Sequence, residues 1–190
     1  MNNATPAQTD ARKRNRNALL LIAAMIFGSF LVAGALRFSG WRPEGMKNRG
    51  ELLQPPGDLR RLHPQWLDGG EYEWNPAGRH WRILVATPRD CAARCDRLAE
   101  DLDKIWQIAG RDADRLEIVW LGQVPASAPT ASRQRALRDD PGLRDALPRA
   151  REDGPVTYVI DPNGFAILRY PPGHDPGDLR SDLSKLLKLR

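Results

Sequence analysis

The stretch "WRILVATPRDCAARCDRLAEDLDKIWQIAG", residues 81–110, decides the fold. Ile83, Leu84, Val85 and Ala86 are apolar on consecutive positions, the pattern of a strand buried on both faces. "TPRD" then breaks the run. A helix is expected from about Asp90, whose carboxylate is suited to cap free backbone N–H groups. Its apolar stripe is Cys91, Cys95, Leu98, Leu102, Ile105 and Ala109, spaced by alternating fours and threes. Gly110 is placed to end it. "LEIVWL", residues 116–121, is a second short apolar run. Strand, helix, strand is a βαβ unit, so the two strands should run parallel.

Downstream, "PASAPTAS" reads as a loop and "RQRALRDDPGLRDALPRA" as a weaker helical stretch broken by Pro141. "GPVTYVIDPNGFAILRY" predicts a strand over 156–160, a turn on "DPNG" and a strand over 165–170. Leu179, Leu183, Leu186 and Leu187 then share one face of an amphipathic helix from Pro176 onward. Asp178 comes early and Lys188 and Arg190 come late, matching the helix dipole. Upstream, "EYEW", "NPAG" and "RHWRILVAT" predict strand, turn and strand. Residues 37–70 are rich in Gly, Pro and Arg and read as a juxtamembrane linker and irregular lead-in. The order is a hairpin followed by β-α-β-α-β-β-α. It predicts an α/β thioredoxin-like fold over residues 71–190, a central mixed sheet flanked by helices.

Residues 18–36, "ALLLIAAMIFGSFLVAGAL", carry no charge. As a helix they are roughly 28 Å long, close to the hydrocarbon thickness of a bilayer. Arg12, Lys13, Arg14 and Arg16 lie in the basic tail, residues 1–17, just before them. Cationic flanks stay on the cytoplasmic side, so the expected topology is a single-pass inner-membrane anchor with the C-terminal domain in the periplasm. A cleaved signal sequence is the rival, with "AGA" at 33–35 as the cleavage site, but the run is long for one. The tail holds four of the 29 Lys and Arg and one of the 24 Asp and Glu, leaving 25 against 23 in the rest. The basic excess is therefore mainly a topology signal, and the mixed charges exclude a nucleic-acid-tracking stripe.

Cys91 and Cys95 are the only two cysteines. One helical turn apart, they suit a soft-metal clamp, a redox pair, or two small core residues. In an exported domain they can form a disulfide. As a staple it would be poor, since a five-residue loop contributes only about 2 kcal/mol. Cys91 at the helix start would have free N–H groups and the dipole to favour its thiolate. Arg89 and Arg94 would help, and Asp90 and Asp96 would oppose. His80 and His174 are expected at the surface, and the six tryptophans in the core or, for Trp41, at the membrane interface. There is no phosphate-binding glycine loop, no H-E-x-x-H and no G-x-S-x-G.

"CAARC" directly after a buried strand, with "YVIDPNGFAILRY" and an N-terminal anchor, resembles the Sco/SenC family within the thioredoxin superfamily. That resemblance implies accessory work in biogenesis of a copper-containing cytochrome c oxidase, by thiol–disulfide chemistry or weak Cu(I) handling. It implies Cys91 and Cys95 as thiol ligands or as attacking and resolving thiols. The partners it implies are an oxidase subunit or another assembly factor. The family's third copper ligand, a histidine shortly before the "LIDP" strand, has no counterpart in "REDGPVTYVIDP", and Ala92 and Asp96 stand where its prolines flank the cysteines. The spacing from Pro155 to Asp161 is instead similar to that of membrane-anchored periplasmic thiol reductases. This implies a cis proline at Pro155 facing the cysteines. Those reductases use C-x-x-C, one residue shorter than here. At most a thiol–disulfide oxidoreductase activity is expected. The alternative is a scaffold that keeps the fold without the chemistry.

Overall fold

The computed structural model describes residues 6–39 and 48–188, in two compact units, residues 1–46 and 47–190. The first unit is a helix, α1 (Pro6–Phe38). It contains an apolar span, Asn15–Leu36, long enough to cross a membrane and with none of it buried. Leu21, Phe27, Phe30 and Leu31 all stand exposed along it. The helix starts ahead of the apolar run, because the basic tail is built mostly of residues that tolerate helix. Trp41 lies outside the described residues, as does Arg190.

The second unit is a six-stranded sheet with helices. Its elements are β1 (Glu51–Asp58), β2 (Trp81–Ala86), α2 (Ala92–Ala109), β3 (Leu116–Leu121), β4 (Arg135–Leu137), α3 (Pro141–Ala146), β5 (Val156–Ile160), β6 (Phe165–Tyr170) and α4 (Pro176–Leu186). The strand order is β1-β6-β5-β2-β3-β4. β2 and β3 pair in parallel from Trp81–Leu116 to Ala86–Leu121, as the βαβ pattern predicts. β5 runs antiparallel between β2 and β6. The β5–β6 turn closes on Asp161, whose carboxylate accepts from the amides of Asn163 (3.0 Å) and Phe165 (2.8 Å). Gly164 supplies the left-handed φ of 93° that this turn needs.

β2 is buried at all six positions. Its side chains alternate between two cores. Ile83 and Val85 pack with Cys95, Leu102, Leu179 and Leu183 under α2 and α4. Leu84 and Ala86 pack with Leu143, Leu147 and Tyr158 on the opposite face. This is the expected thioredoxin-like mixed sheet flanked by helices.

Three expectations need correction. "EYEW" is not a strand: only Glu71 bridges, to Gln65. Both edges of β2 are already taken, by β3 and β5, so no hairpin partner can pair there. Tyr72 instead stacks edge-on between Trp66 and Trp74, with centroids 4.9 Å apart in each pair, and receives the Arg82 Nε–H on its hydroxyl. Second, the irregular lead-in contains β1, an edge strand antiparallel to β6. Pro55, Pro56 and a register shift between Leu52 and Gly57 hide its alternation, and edges tolerate proline. Third, Pro141 starts a helix rather than breaking one. Asp140 caps α3 by accepting from the Leu143 amide (3.1 Å), and residues 135–137 form the edge strand β4.

Candidate functional site: a disulfide at the start of α2

β2 ends at Ala86, and five residues later the chain reaches Cys91, the residue that precedes α2. Cys91 and Cys95 are joined by a disulfide with Cα atoms 5.4 Å apart. Cys95 is 4% exposed and belongs to the core under α2. Cys91 is only partly buried, against the margin of the same core. The bond therefore joins a half-buried cysteine at the helix head to one sealed in the core.

The start of α2 differs from the expected one. Asp90 does not cap it; the cap position is Cys91, with no side-chain hydrogen bond to the helix. Ala92, the first helical residue, has φ 32°, in the left-handed region that only glycine enters cheaply. The physical reason is the cross-link. A regular helix holds the Cβ atoms of residues four apart at about 5–6 Å. A disulfide requires about 3.5–4.5 Å. The backbone between the two cysteines must give, and it gives at Ala92. The far end of α2 is as expected: Gly110 terminates it at φ 57°.

Pro155 stands immediately before β5, buried, and its peptide bond with Gly154 is trans; the cis form implied by the reductase spacing is absent. Gly154 makes the bend instead, at φ 135°. Arg94, on the first turn of α2, donates to the Asp153 carbonyl (3.1 Å) and to the Asp153 carboxylate (3.1 Å). A Cβ on Gly154 would lie 3.2 Å from Arg94 Nη1 and 2.6 Å from Pro172 Cβ. The bend before β5 thus lies beside the first turn of α2. A cleft of about 210 Å³ opens here, lined by Arg94, Leu98, Asp101, Pro155, His174 and their neighbours.

The three histidines go to three places. His63 pairs with Glu71 at 2.5 Å on the surface, and His80 lines a cleft with Trp106 and Glu117. His174 is half-buried rather than exposed. Its ring leans on Tyr170 (centroids 5.2 Å apart) and its Nδ1 hydrogen-bonds the Pro171 carbonyl (3.1 Å). Burial pulls its pKa below the ordinary value, against the opposing pull of Asp178, Asp175 and Asp101. Among the described residues, no group of three His, Cys, Asp or Glu side chains is placed to hold a metal ion.

Asp182 on α4 was not singled out by the sequence. Its carboxylate accepts from the amides of Arg49 (2.6 Å) and Gly50 (2.9 Å) and from the Tyr170 hydroxyl (2.9 Å). Burial alone would raise its pKa, but these donors and the Lys185 ammonium hold it below the usual carboxylate value. Gly50 has no room for a side chain, since a Cβ would fall 2.5 Å from the Tyr170 ring. Asp182 ties the entry of the second unit to the helix that packs against α2.

A buried parallel βαβ core, a strand hairpin, a closing helix and a disulfide at the head of the first sheet helix define a thioredoxin-like domain. Residues 81–190, more than half of the chain, match the family of transmembrane-like, thioredoxin-like C-terminal domains, and the chain belongs to that family. No curated protein sequence matches it. Among solved structures it is similar to BsSco, a member of the Sco family of cytochrome c oxidase assembly proteins in which a disulfide switch was identified. The identity is 10% and the TM-score 0.50, over 74% of this chain and 98% of that one. It is also similar to copper-bound ScoI of Arabidopsis thaliana, at 15% identity, TM-score 0.48, 74% of this chain and 99% of that one. A third is the exposed lipoprotein thioredoxin Etrx1 of Streptococcus pneumoniae, at 18% identity, TM-score 0.46, 65% of this chain and 98% of that one. At 10% identity the likeness to BsSco establishes the fold alone.

Proposed function

We propose that this chain is a membrane-anchored thiol–disulfide exchange protein, with Cys91 and Cys95 as its working pair and Pro155 at the bend beside the first turn of α2. The observation that carries this reading is the asymmetry of the disulfide, with Cys91 half-open at the helix head and Cys95 sealed in the core. A partner thiolate attacks Cys91 Sγ, the sulfur within reach. The Cys91–Cys95 bond breaks, a mixed disulfide forms at Cys91, and Cys95 leaves as a thiolate that takes a proton. A second partner thiol then displaces Cys91. The partner dithiol is oxidised to its disulfide, and Cys91 and Cys95 are reduced to thiols. Run in reverse, Cys91 attacks and Cys95 resolves.

The setting in which we place this chemistry is the periplasmic face of the inner membrane, during biogenesis of a copper-containing respiratory oxidase. An oxidase subunit or assembly factor would be the partner. The basic tail before α1, the Sco-like "CAARC" and "YVIDPNGFAILRY" segments, and the fold shared with BsSco support that reading. Copper in this scheme is cargo. Two reduced thiols are soft donors suited to Cu(I), but none of the three histidines has been brought into a ligand group with them. Weak holding of Cu(I) by two sulfurs is what the residues fit.

The test uses the full chain in detergent. In Cys95→Ser, Cys91 should form a stable mixed disulfide with the disulfide of a small monothiol, whose other half leaves as a free thiol, seen as an added mass. In Cys91→Ser, the buried Cys95 should form little. Equal trapping at both positions, or at neither, would remove the exchange reading and leave the scaffold.

A further inference from the structure

We infer that reducing the disulfide rewinds the head of α2, with Asp90 becoming its N-cap, so that Asp90 is a positioning residue that biases the pair toward the dithiol. The inference rests on the reading that Cys91–Cys95 cycles between disulfide and dithiol.

Local sequence and structure conflict at the head of α2. Aspartate followed by Cys-Ala-Ala-Arg is a strong helix start, with an acceptor side chain ahead of good helix formers. In the oxidised chain that signal is unused. Asp90 is exposed, its carboxylate makes no hydrogen bond to α2, and only its carbonyl is engaged, at 3.5 Å by Arg94. The first turn is irregular: the Arg94 amide reaches the Cys91 carbonyl at 3.0 Å, while the Cys95 amide reaches the same oxygen only at 3.4 Å. Ala92, the best helix former among the residues, is held at φ 32°. Local rules broken together at one point mark a place where another constraint wins. Here the constraint is the cross-link.

Reduction removes it. Two electrons and two protons from a dithiol convert the disulfide to two thiols, and the dithiol becomes a disulfide. The Cβ atoms of Cys91 and Cys95 are then free to separate to helical spacing. Ala92 returns to right-handed geometry and Cys91 joins the helix as its first residue. Asp90 is left one position ahead, where its carboxylate accepts from the amide of Ala92 or Ala93. The cap exists only in the reduced form, and the left-handed alanine only in the oxidised one. Both favour the dithiol.

The experiment is an equilibrium titration of the full chain in detergent against a small dithiol and its disulfide, with nuclear magnetic resonance of the Ala92 Cα and Cβ. Asp90→Ala should shift the equilibrium toward the disulfide by about fivefold, the usual worth of an N-cap. Asp90→Asn retains an equivalent acceptor and should shift it by less than about threefold. Ala92→Gly, which relieves the left-handed residue and weakens the reduced helix, should shift it by at least about tenfold toward the disulfide. On reduction, the Ala92 signals should move from left-handed to helical values. Equal shifts for Asp90→Ala and Asp90→Asn, or Ala92 signals that stay left-handed after reduction, would overturn the inference. A phosphine reductant prepares the reduced chain whatever its reactivity with thiols. A pair that rewinds with phosphine yet ignores dithiols would sink the exchange function and leave the rewinding supported.

Discussion

Replacing Gly154 by alanine puts a side chain where the bend before β5 has no space for one. The added Cβ would stand 2.6 Å from Pro172 Cβ and 3.2 Å from Arg94 Nη1, and φ is 135°. Backbone held in such a region by a non-glycine residue costs about 1–3 kcal/mol. Overpacking against proline, which has few ways to yield, adds about 1–3 kcal/mol more. With partial relaxation the net is about 3 kcal/mol. At roughly 2–4 °C per kcal/mol for a chain of this size, the midpoint should fall by about 6–12 °C. The assay is a thermal melt of the full chain in detergent, followed by near-ultraviolet circular dichroism. Gly173→Ala is the control, since it has φ 75° but nothing within 4 Å, and should cost only about 1 kcal/mol. If the two variants melted within a degree of each other, the close packing of Arg94 and Pro172 around the bend would be refuted.

Two further outcomes concern pH. Asp182 has a folded pKa below its ordinary value of 3.8, so its contribution is fully present above about pH 4 and is lost as pH falls through the folded value. Asp182→Asn should cost about 1–3 kcal/mol at pH 7 and flatten the acid limb of stability below pH 4, measured by urea titration across pH. His174 is also held below its ordinary value of 6.5, by burial. The neutral ring is the native form, so its contribution is complete above about pH 6.5 and declines as pH falls toward the folded value. His174→Gln should remove that slope below about pH 6.5, and an unchanged slope would place the titrating group elsewhere.

The parts of the fold that were legible in the sequence are those with a strong period or a complete turn signal. β3, β5 and β6 fall on the predicted residues, because each is a short apolar run bounded by Gly, Pro or Asp. α2 and α4 follow their apolar stripes, and both leucine and cysteine positions turn inward as the spacing requires. β1 and β4 were hidden for a different reason. An edge strand carrying Pro55 and Pro56, or one of three residues, shows no alternation to read. "EYEW" has the composition of a strand, but its rings are used to cover Arg82 because no sheet edge remains beside β2. At the site, the spacing of Cys91 and Cys95 permitted a disulfide, a soft-metal clamp or core packing alike, and the structure shows the disulfide. The helix start did not follow from capping rules, because the cross-link overrides Asp90 and bends the chain at Ala92. The roles of Arg94, Gly154, His174 and Asp182 depend on contacts between segments far apart in the chain, which no local pattern encodes.

The half-open Cys91–Cys95 disulfide is either a working bond or a fixed staple. Equilibrating the full chain in detergent with dithiol buffers of known potential, and reading free thiols by mass, measures this directly. A working pair should reach a reversible equilibrium at a potential above about −300 mV, the level below which structural disulfides of secreted proteins typically lie. A pair that stays oxidised well below that level, or that reduces only when the domain unfolds, would contradict the account.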